Sequence, residues 1–238
     1  MRARRTREGE FDMMSLFCRW AGCFLAGVLM AGSAGCVSPG GQAGPPVGVF
    51  GCRDHAHHVV YVSDRSGSMA CTFDEVRFEL FQSISRLKGE QDFTVLMLAS
   101  TAPREGPGKG LVPATDQNKA RAVKFLRRVT GGQTTLLPAL RRAFELLAAA
   151  DPDRPGKCIF VLSDGDFAGI TAGSVYRAKD GRKLTGNEAV IQFLRDHNAD
   201  GGVRVHMILL WTQDHTAREV YQTIARENRG RFISVALD

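Results

Sequence analysis

The sequence predicts an α/β fold: an open, doubly wound, mostly parallel central sheet with helices on both faces. Three observations carry that expectation. Five short runs are continuously apolar, the pattern of strands buried on both faces. Between them lie stretches with apolar residues at three- and four-residue spacing, the mark of helices with one buried stripe. The two patterns alternate from His58 onward, and such β-α-β alternation builds a parallel sheet.

The strand runs are Val59 to Ser63, Phe93 to Ala99, Ile159 to Ser163, Val205 to Leu210 and a weaker Phe232 to Leu237. Gly110-Leu111-Val112 reads as a short edge strand, and Thr101 to Lys109 as irregular chain. Phe73, Val76, Leu80, Ile84 and Leu87 form the first helical stripe. Ala120, Val123, Leu126 and Val129 form a second, and Leu140, Ala143, Phe144 and Leu147 a third. Pro138 stands in the first turn of that third helix, where its missing N–H costs little. Thr185 with Glu188, and Thr216 with Glu219, have capping-box spacing and predict the starts of the last two helices. Gly230 is expected to end the last one in a left-handed conformation.

The chain has 238 residues, 44% hydrophobic and 24% charged, which is ordinary globular composition. Net charge is +6; five arginines and three carboxylates lie in the first 36 residues, leaving +4 on the rest. Arg121, Lys124, Arg127, Arg128, Arg141 and Arg142 offer a patch for an acidic partner or two solvated helix faces, the second being the preferred reading. No aromatic residues interleave with them as single-stranded nucleic-acid binding requires, so no nucleic-acid partner is expected.

Residues 1–36 read as an export segment. Arg2, Arg4, Arg5, Arg7 and Arg19 precede an apolar stretch from Trp20 to Met30 and a small-residue exit, Ala31-Gly32-Ser33-Ala34-Gly35-Cys36. The stretch is shorter than the roughly 20 residues of a membrane span. Met13 or Met14 as the true start would shorten the leader and remove Glu8, Glu10 and Asp12 from it. The exit resembles a bacterial lipoprotein signal, in which Cys36 is acylated, although Ser33 stands where Leu is usual. Simple cleavage and an uncleaved anchor remain alternatives. Residues 37–57 are Gly/Pro-rich and read as a flexible tether, which leaves 58–238 as the folded domain. The expected location is the cell envelope, membrane-anchored and facing the periplasm or exterior.

Outside the leader and Cys36, three cysteines remain: Cys52, Cys71 and Cys158. That odd number allows at most one disulfide, Cys52 with Cys71 being the candidate, and a buried thiol at Cys158. Cys52, His55, His57 and His58 are close in sequence, but their spacing matches no zinc pattern well.

In doubly wound sheets, ligands bind at the carboxyl ends of strands where the strand order reverses. Three loops carry oxygen-rich chemistry. Asp64-Arg65-Ser66-Gly67-Ser68 follows the first strand and offers one carboxylate and two hydroxyls to a small hard cation, Mg²⁺ or Mn²⁺ rather than zinc. Gly131-Gly132-Gln133-Thr134-Thr135 precedes the third helix. Asp164-Gly165-Asp166 ends a central strand. Taken singly, each is ordinary turn chemistry.

Together, in this order, the loops resemble the von Willebrand factor type A domain and its metal-ion-dependent adhesion site, in particular the bacterial single-domain, membrane-tethered members. The resemblance spans Val59 to Leu237, including Ile224 to Gly230. It implies strand order 3-2-1-4-5-6, direct metal ligation by Ser66 and Ser68, Asp64 and Asp164 beside the metal and partly through water, and Thr134 direct or through water. Neutral hydroxyls leave the cation under-neutralised, so an Asp or Glu of a partner protein is the expected sixth ligand, and no catalysis is expected. Two departures stand out: a long Gly-, Lys- and Arg-containing loop between Asp166 and Thr185, and Arg65 inside the metal loop, either solvent-exposed or steering acidic partners.

Two other functions compete. A phosphohydrolase of haloacid-dehalogenase type also carries an Asp after the first strand, but needs a second carboxylate two residues on, where Ser66 stands here. A structural envelope protein with a vestigial metal site is the third reading.

Overall fold

The structure, a computed structural model, describes residues 44–99, 101–129, 135–165 and 174–236. It begins with a hairpin, β1 (Pro46–Val49) and β2 (Cys52–His55). β3 (His58–Ser63) leads through a 3₁₀ turn (Gly67–Met69) into α1 (Phe73–Arg86). β4 (Asp92–Met97), β5 (Arg104–Gly106) and β6 (Val112–Pro113) follow, then α2 (Asp116–Arg128) and α3 (Leu136–Ala148). Next come β7 (Lys157–Ser163) and a small hairpin, β8 (Tyr176–Arg177) with β9 (Lys183–Leu184). α4 (Gly186–His197), β10 (Val203–Leu210), α5 (His215–Glu227) and β11 (Phe232–Val235) complete the order.

The main sheet runs β11-β10-β7-β3-β4-β5. Its pairings are parallel except where β5 and β6 lie antiparallel on β4. Counted along the chain, the six strands of that path stand in the order 3-2-1-4-5-6, as expected. The order reverses between β3 and β7, and Ser63 sits opposite Leu162 there.

Alternate side chains of each long strand enter different cores, which is why the runs are apolar without a break. Val60, Val62, Ile159, Val161, Val205 and Met207 face α3, α4 and α5. Val59, Tyr61, Cys158, Phe160, Ile208 and Leu210 face the opposite way, toward α1 and α2. The five α1 stripe residues are all buried.

Several expectations are corrected. The tether does not extend through residue 57, because residues 46–55 are the β1–β2 hairpin. Val47, Val49 and Cys52 enter the core shared with α1. Phe50 (φ 47°) and Gly51 (φ 73°) form the two-residue turn, both left-handed as a tight hairpin with native twist requires. The folded part therefore starts before residue 58. Thr101 to Lys109 contains β5.

The α2 stripe is Ala122, Leu126 and Val129 with half-buried Phe125, and Ala120 is exposed. Strict three-residue spacing slips about 60° per step on a helix of 3.6 residues per turn, so the expected set could not share one face. α5 is capped two residues before Thr216: the Asp214 carboxylate accepts from the N–H groups of Thr216 and Ala217. Thr185 is the N-cap of α4, but makes no side-chain capping bond. After α5 the left-handed residue is Arg229 (φ 52°), not Gly230. Gly230 is instead needed for close approach, since a Cβ there would lie 1.8 Å from the carbonyl oxygen of Val205. Cys52 and Cys71 are both free, the first buried and the second exposed, and Cys158 is a buried thiol.

The β1–β2 hairpin is tied to β10 by charge. Asp54 accepts from Arg204 Nε at 2.6 Å and lies 2.8 Å from His206 Nε2. Burial alone raises the Asp54 pKa, but the bonds from His206 and Arg204 outweigh it and lower the value from 3.8 to about 2. A depressed carboxylate contributes stability that is complete above pH 4 and lost as pH falls through about 2. Asp54→Asn is therefore expected to cost roughly 2 kcal/mol at pH 7, with about half of that difference gone at pH 3. Urea unfolding of both proteins at the two pH values checks it; a cost independent of pH would contradict the assignment.

Candidate metal centre

β3 ends against β7 at the point where the strand order reverses, and Asp64 is the next residue. Its N–H continues the ladder to the Leu162 carbonyl at 2.8 Å, and its side chain is fully buried. Oδ1 accepts the Ser66 N–H at 2.7 Å, a local turn that an Asp makes with the backbone two residues on. Oδ2 accepts the Ser163 hydroxyl at 2.9 Å. Buried Met69 anchors the following 3₁₀ turn from below.

That folding brings Ser66 Oγ and Ser68 Oγ to 2.9 Å from each other at the surface. Adjacent corners of an octahedron with Mg–O distances of about 2.1 Å are about 3.0 Å apart. The two hydroxyls thus already have the separation of neighbouring ligands on one small cation. Asp64, with both oxygens engaged by the protein, is placed to act from behind them.

Asp164 follows β7 and is half-buried, beside Asp64. Burial raises the Asp64 pKa from 3.8 to about 6, and the Asp164 charge adds to the rise, against the lowering bonds from Ser163 and Ser66. Two carboxylates held together at this cost present what a divalent cation would relieve. The Tyr221 hydroxyl, from α5, donates to the Gly165 carbonyl at 2.9 Å and holds the start of the Asp164 loop.

Asp64, Ser66, Ser68 and Asp164 are therefore brought together. Thr134, Asp166 and Cys36 lie outside the described residues. Ser163 is a positioning residue the sequence reading missed; a Ser closing an apolar strand, directly before the Asp, was its signal. Arg65 does not reach freely into solvent: its guanidinium carbon lies 4.8 Å from the centroid of the Phe73 ring, and Arg77 sits over the same ring at 5.3 Å.

The Cys52–His58 segment gathers no metal site. His55 and His57 bond the carbonyls of Gly44 and Pro155, while buried His58 bonds Asp92 at 2.8 Å. Among the described residues no group of three or more His, Cys, Asp or Glu is placed to hold a metal ion. The loop between Asp166 and Thr185 contains β8 and β9, whose Tyr176 packs edge-on against Phe193 of α4.

The sequence matches no family model and no curated protein. Solved structures do match its fold. The pilus adhesin SpaC of Lactobacillus rhamnosus GG, in an open conformation, is 15% identical with a TM-score of 0.59, over 76% of this chain and 28% of the adhesin. A von Willebrand factor type A structure from Catenulispora acidiphila is 19% identical with a TM-score of 0.58, over 78% of this chain and 40% of that one. Proximal thread matrix protein 1 of the mussel byssus, described with zinc in its metal-ion-dependent adhesion site, is 18% identical with a TM-score of 0.52, over 75% and 41%. The chain thus spans less than half the length of each of these three proteins.

Proposed function

We propose, from the von Willebrand factor type A fold that this chain has, that it is a metal-dependent protein-binding module that captures an acidic side chain. Ser66 and Ser68 would ligate Mg²⁺ or Mn²⁺ directly, with Asp64 and Asp164 behind them and Thr134 completing the set. The observation that carries this reading is the 2.9 Å separation of the two serine hydroxyls over a buried, proton-avid Asp64. When bound, the cation supplies a positive centre with a coordination position left for a partner's Asp or Glu. Hydroxyl and carboxylate oxygens are hard donors, without the Cys or His that favour zinc. Zinc is nevertheless what the mussel protein's site is described as holding, so it belongs among the cations tested.

A role without catalysis is supported by Asp64 itself. A nucleophilic carboxylate must present an oxygen to substrate, whereas Asp64 is fully buried and bonded at both oxygens. The adhesin and matrix-protein neighbours are in keeping with binding outside the cell. Among the described residues no helix is long and apolar enough to cross a membrane. Attachment would therefore rest on the 1–36 segment, with acylation of Cys36 as the proposed anchor.

The test is a pull-down from membrane extract by the chain in Mg²⁺, repeated in EDTA, with Ser66→Ala and Ser68→Ala alongside. Capture is expected in Mg²⁺ only, and each variant is expected to lose roughly 10-fold or more. Capture that survives EDTA unchanged contradicts the reading.

A further inference from the structure

A second charged feature flanks the hydroxyl loop. Between β5 and α2 lies an open cleft of about 500 Å³ with Arg104, Arg121, Lys124 and Arg128 around it and Phe125 and Val129 as its apolar floor. All four cationic residues are exposed, and among the described residues no carboxylate lines the cleft. Glu105, the acid next to Arg104, is turned elsewhere: it accepts from Arg142 at 3.0 Å and from the Gly110 N–H. Arg121, Lys124 and Arg128 make no ion pair among the described residues. They stand three and four residues apart on one face of α2, a like-charge spacing that weakens a helix. Such a stripe, with no internal counter-charge, is complementary to an anion from outside.

Sheet register fixes where this cleft sits relative to the metal loop. Ser63 pairs with Met97, and Met97 pairs with Arg104. Arg104 is thus two strands from the residue that precedes Asp64, about 10 Å at normal strand spacing. Three to four residues of extended chain cover that distance. Arg121 to Arg128 continues the positive stripe for about another 10 Å along the helix.

We propose that the cleft is the second half of the partner-binding surface, and that the partner presents a run of acidic residues: one carboxylate to the cation and others to Arg104, Arg121, Lys124 and Arg128. Guanidinium groups take carboxylates in paired hydrogen bonds, and the Phe125–Val129 floor receives the aliphatic stems of Glu side chains. The inference rests on the metal-site reading for its first contact and on the cleft for the rest.

Two synthetic peptides separate the contributions: hexaglutamate, and a hexamer with one Glu among Ser and Gly. Affinities are measured by calorimetry in Mg²⁺ and in EDTA for the wild type, Arg121→Gln/Arg128→Gln, and Arg226→Gln, which removes an exposed charge from α5. Hexaglutamate is expected to bind at least 10-fold tighter than the single-Glu peptide, with an advantage that shrinks as salt rises. The double variant should erase the advantage, leave single-Glu binding unchanged and leave folding intact by circular dichroism; Arg226→Gln should change neither. An advantage that persists in the double variant, or falls equally in Arg226→Gln, overturns the proposal. So does inorganic tripolyphosphate binding to the cleft where hexaglutamate does not. If hexaglutamate depends on the cleft but neither peptide depends on Mg²⁺, the cleft stands and the metal reading fails.

Discussion

Asp64→Asn is expected to weaken divalent-dependent capture while making the metal-free protein more stable at neutral pH. The substitution fits the site: Asn Oδ1 can accept the Ser66 N–H, and its amide can donate to the Ser163 oxygen once that hydroxyl rotates. Geometry is kept and only the charge is lost. The Asp64 pKa is about 6 in the folded chain, against an ordinary 3.8, chiefly because burial disfavours the anion. Between pH 4 and 6 the native state therefore holds a proton that the unfolded chain has released, and stability declines as pH rises. At pH 7 the full cost is present, roughly 2–3 kcal/mol. Asn mimics the protonated acid. Its gain should be complete at pH 7 in EDTA and absent below about pH 4. Capture in Mg²⁺ should fall roughly 10- to 100-fold, the usual effect of removing a group that supports metal ligands. Urea denaturation in EDTA at pH 4 and 7, beside the Mg²⁺ pull-down, checks both halves. A variant less stable than wild type at pH 7, or one that binds normally, counts against the site as described.

The second large effect is at Gly230. An added Cβ would lie 1.8 Å from the Val205 carbonyl oxygen and 2.4 Å from its carbon, atoms of a buried central strand that cannot rotate away. Gly230→Ala must therefore push the segment after α5 off β10. That strains the bonds from Val205 N–H to Asn228 and from Met207 N–H to Arg231. A loss of roughly 3 kcal/mol is expected, a fall in Tm of roughly 10 °C for a domain of this size. Gly51→Ala is the control. It has a positive φ, 73°, which Gly230 lacks, and open space around its Cβ, and should cost only about 1 kcal/mol. Similar Tm values for the two variants would mean that close approach is not what Gly230 serves.

These two residues also mark how far the sequence could be read. Gly230 is visible as a helix-ending glycine, but the reason for it lies in Val205, 25 residues earlier, and only the β10 pairing brings the two together. Asp64, Ser66 and Ser68 are legible because their relation is local: three residues on one turn. Asp164 is legible from its place after a buried strand. Ser163 escaped notice because its partner is 99 residues away. The β1–β2 hairpin is not legible from the sequence because Pro46, Gly48 and Gly51 interrupt its strand pattern. Its burial depends on a sheet face that is not apparent from residues 46–55 alone. The α2 stripe follows helical phase, which three-residue spacing alone does not keep.

The order of strands and helices, the loops that carry oxygen ligands and the α1 stripe follow from residue pattern, because hydrophobic periodicity and short-range turn chemistry act within a few residues. Tertiary structure decided the rest: which buried groups oppose each other, how far a carboxylate is pushed from its ordinary pKa, where a backbone leaves no room for a Cβ, and that Arg104 stands level with the metal loop. Those quantities depend on atoms brought together across strand pairings and core packing, with separations in the chain that no local pattern records.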